Sequence, residues 1–212
     1  MIADPLTSRL VIFAKAPVPG RVKTRLARRL GSRTAARVYK CLLRETVAAL
    51  AVDPPAAVEL WVTPHRHPFL GALARRYGAR VRVQPTGDLG RRMHAALAGR
   101  ARTVVVGGDC ASLRRVDVAR AFQALRAGAD LVLAPAEDGG YTLVGGRCAP
   151  AAVFRGVPWS TSRVMPETLK RVRRLGLTCA HLRETWDVDD YRDWRRWRRA
   201  RASDAVGTIW SR

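Results

Sequence analysis

With 212 residues, 48% hydrophobic and 26% charged, the chain can build one substantial core and is too short for two full domains. A single domain over 1–212 is expected, its core about 8–198 with a tail over 199–212. The formal net charge is +22, but only four of the 39 basic residues are lysines, which leaves 35 arginines dispersed among alanines without a zinc-finger, recognition-helix or ribonucleoprotein motif to focus them.

Near the N-terminus Asp4 and Pro5 stand ahead of an apolar run that soon meets Lys15, a pattern unlike a signal peptide or a membrane span, so a cytoplasmic protein is expected. Cys41, Cys110, Cys148 and Cys179 are scattered without paired spacing and are expected as reduced thiols in or near the core. The run from Leu10 to Ala14 is a buried strand by its length and its Val, Ile and Phe. Pro17, Pro19 and Gly20 break it and force a turn. Arg21, Lys23 and Arg25 then surround Thr24 at a helix start, where amides, dipole and charge together favour an anion such as phosphate. A solvated basic helix start accounts for the same residues.

From Arg33 to Leu50 apolar residues recur at helical spacing, and Pro54 and Pro55 end that helix. Val58 to Val62 reads as a second strand, Phe69 to Tyr77 as a helix closed by Gly78, and Arg80 to Val83 as a short strand. His65 and His67, in a Pro-bounded loop without a third ligand, are a poor metal site. Gly87 to Gly99 is a Gly-punctuated loop entering a helix with Met93, Ala96 and Leu97 inward and Arg91 and Arg92 outward.

The β-branched run Thr103 to Val106 opens directly into Gly107, Gly108 and Asp109. An acid where a parallel strand ends is well placed to hold a metal ion, and equally well placed to cap a turn. After a helix from Asp117 to Leu125 and a strand from Asp130 to Ala134 comes PAEDGG, which puts Glu137 and Asp138 near the same sheet edge or simply forms a hairpin turn. Helices from Met165 to Leu175 and Tyr191 to Ala200 flank a last strand, Thr178 to Leu182. Asp187, Asp189 and Asp190 cluster before the final helix, where acids cap it and satisfy its dipole. Tyr191, Trp194 and Trp197 form an aromatic stripe expected to pack on the core. The alternation of strands and helices predicts a three-layer α/β/α domain with a mainly parallel, Rossmann-like sheet.

Six motifs, FAKAPVPGRVKTRLA, GDLGRRMHAAL, VVVGGDC, PAEDGGYTLVG, VPWST and DVDD, occur in the order seen in a bacterial family of GT-A-like glycosyltransferases, formerly a domain of unknown function and often labelled for arsenosugar biosynthesis. The chain resembles that family from Leu10 to about Trp194. It is also similar to the guanylyltransferases of deazaflavin-cofactor synthesis through the K-T-R-L core, and more distantly to molybdenum-cofactor nucleotidyltransferases. All share the nucleotide-diphospho-sugar transferase fold. The resemblance implies that Lys15, Gly20, Arg21, Lys23, Thr24 and Arg25 serve the nucleotide phosphates, with Gly90 and its neighbours near the base or ribose. It implies Mg2+ or Mn2+ on Asp109 and on Asp189 with Asp187 beside it, while Asp138, Tyr141, Trp159 and Ser160 face the acceptor. Three departures stand out: Cys110-Ala111-Ser112 lacks the usual proline, Asp190-Tyr191-Arg192 replaces T-P-E, and Thr142 and Gly146 interrupt Y-Y-L-I-G-L.

The implied reaction leaves a nucleoside diphosphate whose growing charge a divalent ion and fixed cations stabilise, with Asp138 as the candidate base for the acceptor hydroxyl. Nucleotidyl transfer from a nucleoside triphosphate to a small phosphorylated acid uses the same pocket and stays open. So does non-catalytic binding of nucleic acid, although no specific nucleic-acid partner is expected.

Overall fold

The computed structural model describes residues 8–51, 56–99 and 101–209, with side chains through Ala202; Pro54 and Pro55, expected to end the long helix, lie outside them. The chain alternates as read from its periodicity: β1 (Ser8–Lys15), α1 (Thr24–Leu30), α2 (Ser32–Ala51), β2 (Ala57–Thr63), α3 (Pro68–Arg76), β3 (Arg80–Val83), α4 (Leu89–Leu97) and β4 (Arg102–Gly107). It continues with α5 (Arg115–Arg126), β5 (Leu131–Pro135), β6 (Tyr141–Gly146), a 3-10 turn (Ala151–Val153), α6 (Val164–Arg174), β7 (Cys179–His181) and α7 (Tyr191–Ile209).

The strands form one seven-stranded sheet in the order β3-β2-β1-β4-β6-β5-β7. It is parallel except for β6, which runs antiparallel between β4 and β5. Period-two alternation divides β1 between two apolar layers. Leu10, Ile12 and Ala14 meet Tyr39, Leu43 and Val47 of α2, Leu70 of α3 and Phe122 of α5, whereas Val11 and Phe13 join Met93 and Leu97 of α4 and Phe154 on the other face. A smaller cluster, with Leu26, Val38, Leu42, Val188 and Trp197, docks α7 onto α1 and α2.

Several expectations need correction. Helix α7 runs past residue 199 to Ile209, so no break separates a tail there. Its stripe is partial: Trp197 is buried, Trp194 is half-buried and Tyr191 is exposed. Arg92 does not point outward, because its Nη1 donates to Gln84 Oε1 at 3.4 Å and its Nε is buried. Cys148 is exposed, while Cys110 is buried and the other two thiols are half-buried. His67 Nδ1 accepts the Phe69 amide at 3.2 Å and so caps α3, a structural use for that histidine.

Two ion-paired clusters tie the C-terminal segment to the sheet. In one, Arg183, just after β7, donates Nε and Nη2 to Asp117 at 2.8 and 2.6 Å, and Nη2 also reaches the Ser112 carbonyl at 2.6 Å. Asp117 also accepts the Arg114 amide at 2.8 Å, so both carboxylate oxygens are used. The other cluster lies at the candidate site.

Candidate functional site

Parallel strands present the loops at their carboxyl ends to one edge of the sheet, and reversing β6 brings its first residue, Tyr141, to that same edge. A cleft of about 610 Å³ opens there. Lys15, Arg25, Asp109, Asp187 and Asp189 line it together with Asp138, Tyr141, Trp159 and Ser160, and Asp138 also shares a smaller hollow with Asp187 and Asp189. Another hollow, of about 250 Å³, adjoins the cleft, lined by Lys15, Arg21, Lys23, Thr24 and Arg25 together with Tyr39 and two of the acids.

The loop after β1 reaches this place because the Arg21 amide bonds the Val18 carbonyl at 3.0 Å and Gly20 turns with φ 78°. Gly20 lines neither hollow, so its contribution is the turn rather than a phosphate contact. Lys23 follows in the left-handed region at φ 47°, ψ 49°, a conformation that is strained for a residue with a Cβ. Helix α1 has only seven residues, so the cations, more than a helix dipole, make the hollow positive.

At the end of β4, Gly108 donates its amide to the Phe13 carbonyl at 2.9 Å, and a Cβ there would meet that oxygen at 2.8 Å and Leu43 at 2.5 Å. Only glycine lets the loop cross so close to β1, and Asp109 is thereby held at the cleft floor. The partner acids arrive by a tether that sequence reading missed. Ser112 Oγ accepts the Trp186 amide at 2.7 Å and donates to the Trp186 carbonyl at 2.8 Å, fastening the 182–190 segment beside Asp109. The acids of this segment divide their tasks. Asp190 Oδ1 accepts the amides of Arg192 and Asp193 and caps α7, whereas Asp187 and Asp189 face the cleft.

Lys23 is the main correction. It lines the cationic hollow, but its side chain is only 5% exposed, and Nζ is engaged 2.6 Å from Asp109 Oδ2 and 2.8 Å from Asp189 Oδ1. Burial by itself would lower the ammonium's pKa, but the charges of Asp109 and Asp189 and their hydrogen bonds outweigh it and hold the pKa above its ordinary value. Burial also disfavours the charged form of Asp189, and Lys23, with Arg25 at 3.8 Å, overcomes this and lowers its pKa. At Asp187 the opposing charge of Lys23 is outweighed: burial, then the charges of Asp189 and Asp109, push its carboxyl up to about 7. The three acids called as metal ligands are therefore gathered in one corner, with a lysine between two of them. The all-oxygen donor set suits a hard divalent cation. Among the described residues, however, no group of three His, Cys, Asp or Glu side chains stands arranged to hold a metal ion.

Asp138 is exposed, and its Oδ1 accepts the Gly140 amide at 2.9 Å in its own turn. Gly139 lies against the backbone of Ser162, and its carbonyl accepts the Met165 amide at 2.9 Å, so this turn and the 159–162 loop are locked together. Ser160 is exposed on the cleft with φ 64°. Tyr141 and Trp159 meet edge to face, with centroids 6.4 Å apart. Gly90 itself is buried and does not line the cleft, though Leu89 and Met93 beside it do; a Cβ at Gly90 would meet Trp159 at 2.7 Å and the Phe154 carbonyl at 2.9 Å. Its role is to let Trp159 settle on α4.

No helix among the described residues is long and apolar enough to cross a membrane. No curated protein matches the sequence. Among solved structures, the chain is similar to a provisionally named nucleotide-diphospho-sugar transferase from Desulfovibrio desulfuricans G20, with 30% identity, a TM-score of 0.78, and coverage of 87% of this chain and 83% of that one. It shares its fold, at 13% identity and a TM-score of 0.58, with a CMP:2-keto-3-deoxy-manno-octonic acid synthetase complexed with CTP, covering 93% and 99% of the two chains. An inositol-1-phosphate CTP transferase from T. maritima gives 8% identity and a TM-score of 0.58, covering 87% and 90%. The fold is thus that of the nucleotide-diphospho-sugar transferases. Residues 46–161 match the model of a family described as an uncharacterized protein conserved in bacteria, DUF2064, and the chain belongs to that family.

Proposed function

We propose that this protein is a divalent-metal-dependent glycosyltransferase, which takes a sugar from a nucleotide-diphosphate donor and passes it to a small-molecule acceptor. The observation that carries the reading is one cleft in which a cationic hollow adjoins Asp109, Asp187 and Asp189, with Asp138, Tyr141, Trp159 and Ser160 in the same lining. Lys15, Arg21 and Arg25 are exposed cations placed to take the donor diphosphate by charge-assisted hydrogen bonds. Asp109 and Asp189, with Asp187 alongside, would hold Mg2+ or Mn2+, whose chemistry is to neutralise the charge that develops on the leaving diphosphate. Tyr141 and Trp159 offer aromatic surface to the acceptor. Asp138, with Oδ1 tied to its turn, keeps Oδ2 for the acceptor's proton. The similarity to the Desulfovibrio protein supports a sugar nucleotide as donor.

Nucleotidyl transfer draws on the same cleft and is favoured by the shared fold of the two CTP-using enzymes. Phosphorus NMR separates the two. With Mn2+ or Mg2+ and a panel of sugar nucleotides, the glycosyl reading expects release of nucleoside diphosphate, abolished in Asp109→Asn. Pyrophosphate release from nucleoside triphosphates plus sugar phosphates, with sugar nucleotides untouched, would replace it with the alternative.

A further inference from the structure

The ion pairing of Lys23 bears on how the site is loaded. Its Nζ touches one oxygen from each of Asp109 and Asp189, the pair that the reading above gives to the divalent ion. A divalent ion held by Asp109 and Asp189 would compete with Nζ for the carboxylate oxygens that it now occupies. A +1 and a +2 charge in contact also repel strongly in a half-buried corner. Conversely, without Nζ the Asp109 and Asp189 pair would keep only the longer 3.8 Å contact of Arg25 with Asp189, so loss of one occupant favours arrival of the other. We propose that Lys23 is an internal counter-ion that excludes the divalent cation from the free protein and yields its place only when a diphosphate enters the adjoining hollow.

The exit for Lys23 is in the structure. The same side chain lines both the acid corner and the hollow that holds Lys15, Arg21, Thr24 and Arg25, so a diphosphate there offers it new oxygens a short swing away. Its backbone, at φ 47° in a turn just ahead of α1, is the strained point of that loop, as expected of a residue that changes partners. Metal and nucleotide then bind with positive coupling, each helping the other through one side chain. The inference rests on the nucleotide reading for its second half, but its first half concerns the metal alone.

The test is Mn2+ binding followed by electron paramagnetic resonance on the full chain, first without nucleotide. Lys23→Met should bind Mn2+ at least about tenfold more tightly than the wild type, since the competitor is gone, and the gain should vanish in Lys23→Met/Asp109→Asn. With Mn2+ present, UDP and GDP should bind at least about tenfold more weakly to Lys23→Met, because a phosphate contact is lost. A merely structural lysine would move both affinities down together. Equal or weaker Mn2+ binding by Lys23→Met without nucleotide overturns the proposal, and leaves the transferase reading standing. Failure of every nucleotide to bind the wild type would instead remove that reading, with the metal-only comparison still interpretable. If Lys23→Met does not fold, the wild-type ammonium can be followed by nitrogen-15 NMR. Its hydrogen-bonded signal should survive Mg2+ alone and shift when Mg2+ and UDP or GDP are added together, and a shift with Mg2+ alone overturns the proposal.

Discussion

Two clusters of the same ingredients, Arg183 with Asp117 and Lys23 with Asp109 and Asp189, sit on either side of the Ser112 loop and reach opposite electrostatic ends. In the first, one guanidinium meets one carboxylate, and every oxygen of Asp117, 1% exposed, has a donor. Nothing is left over for a ligand. In the second, one ammonium serves two of three acids, and Asp187 remains crowded by like charge in the wall of a cleft. A complete ion pair fastens a fold, and an incomplete one invites a cation.

The contrast can be broken most directly at its structural end. Arg183→Ala leaves the Asp117 carboxylate buried without its countercharge, and about 3 kcal/mol of stability should be lost, roughly 9 °C in Tm, with nucleotide affinity unchanged. Urea unfolding with parallel calorimetry checks this, and a stable variant with weakened nucleotide binding would erase the distinction between the clusters. At the other end, Arg25→Ala removes a side chain that is 65% exposed and makes only a 3.8 Å contact with Asp189. Its stability should hardly move while UDP or GDP affinity falls by about 1.5 kcal/mol, roughly tenfold. A Tm loss with unaltered affinity would make Arg25 a structural residue.

The smallest effect concerns pH. The folded-state pKa of Asp187 is raised from 3.8 to about 7, so the folded chain holds a proton that the unfolded chain releases, and this group's contribution to stability declines as pH rises through that window. In the presence of a chelator, Asp187→Asn should therefore stabilise the protein at pH 8 relative to pH 5. The difference should be about 1 kcal/mol after screening by the open cleft. Thermal melts at the two pH values decide it, and a variant equally stable at both would show that the acid is not crowded.

Period-two and period-3.6 patterns made the layers readable in the sequence, because side chains such as Leu10, Ile12 and Val11 choose faces by backbone geometry alone. The convergence of Asp109 with Asp187 and Asp189 was readable only through the order of motifs. What escaped were facts of three dimensions. That Gly90 underlies Trp159, that Ser112 ties down Trp186, and that Lys23 turns inward to two acids nearly 90 and more than 160 positions away all depend on close approaches that no local pattern encodes. The reversal of β6 was legible in part, since the D-G pair of PAEDGG offered the hairpin turn that joins it to β5.

That reversal has a practical consequence. Because β5 and β6 form a hairpin whose tip lies at the ligand edge, and Gly139 locks that tip to the loop before α6, the wall carrying Asp138, Tyr141, Trp159 and Ser160 is supplied by one nearly continuous stretch of chain. The cationic hollow is assembled from elsewhere, by β1 and the loop that follows it. A relative's residues 136–162 could be grafted as a cassette onto this scaffold, exchanging one half of the cleft while leaving the other half's chemistry in place.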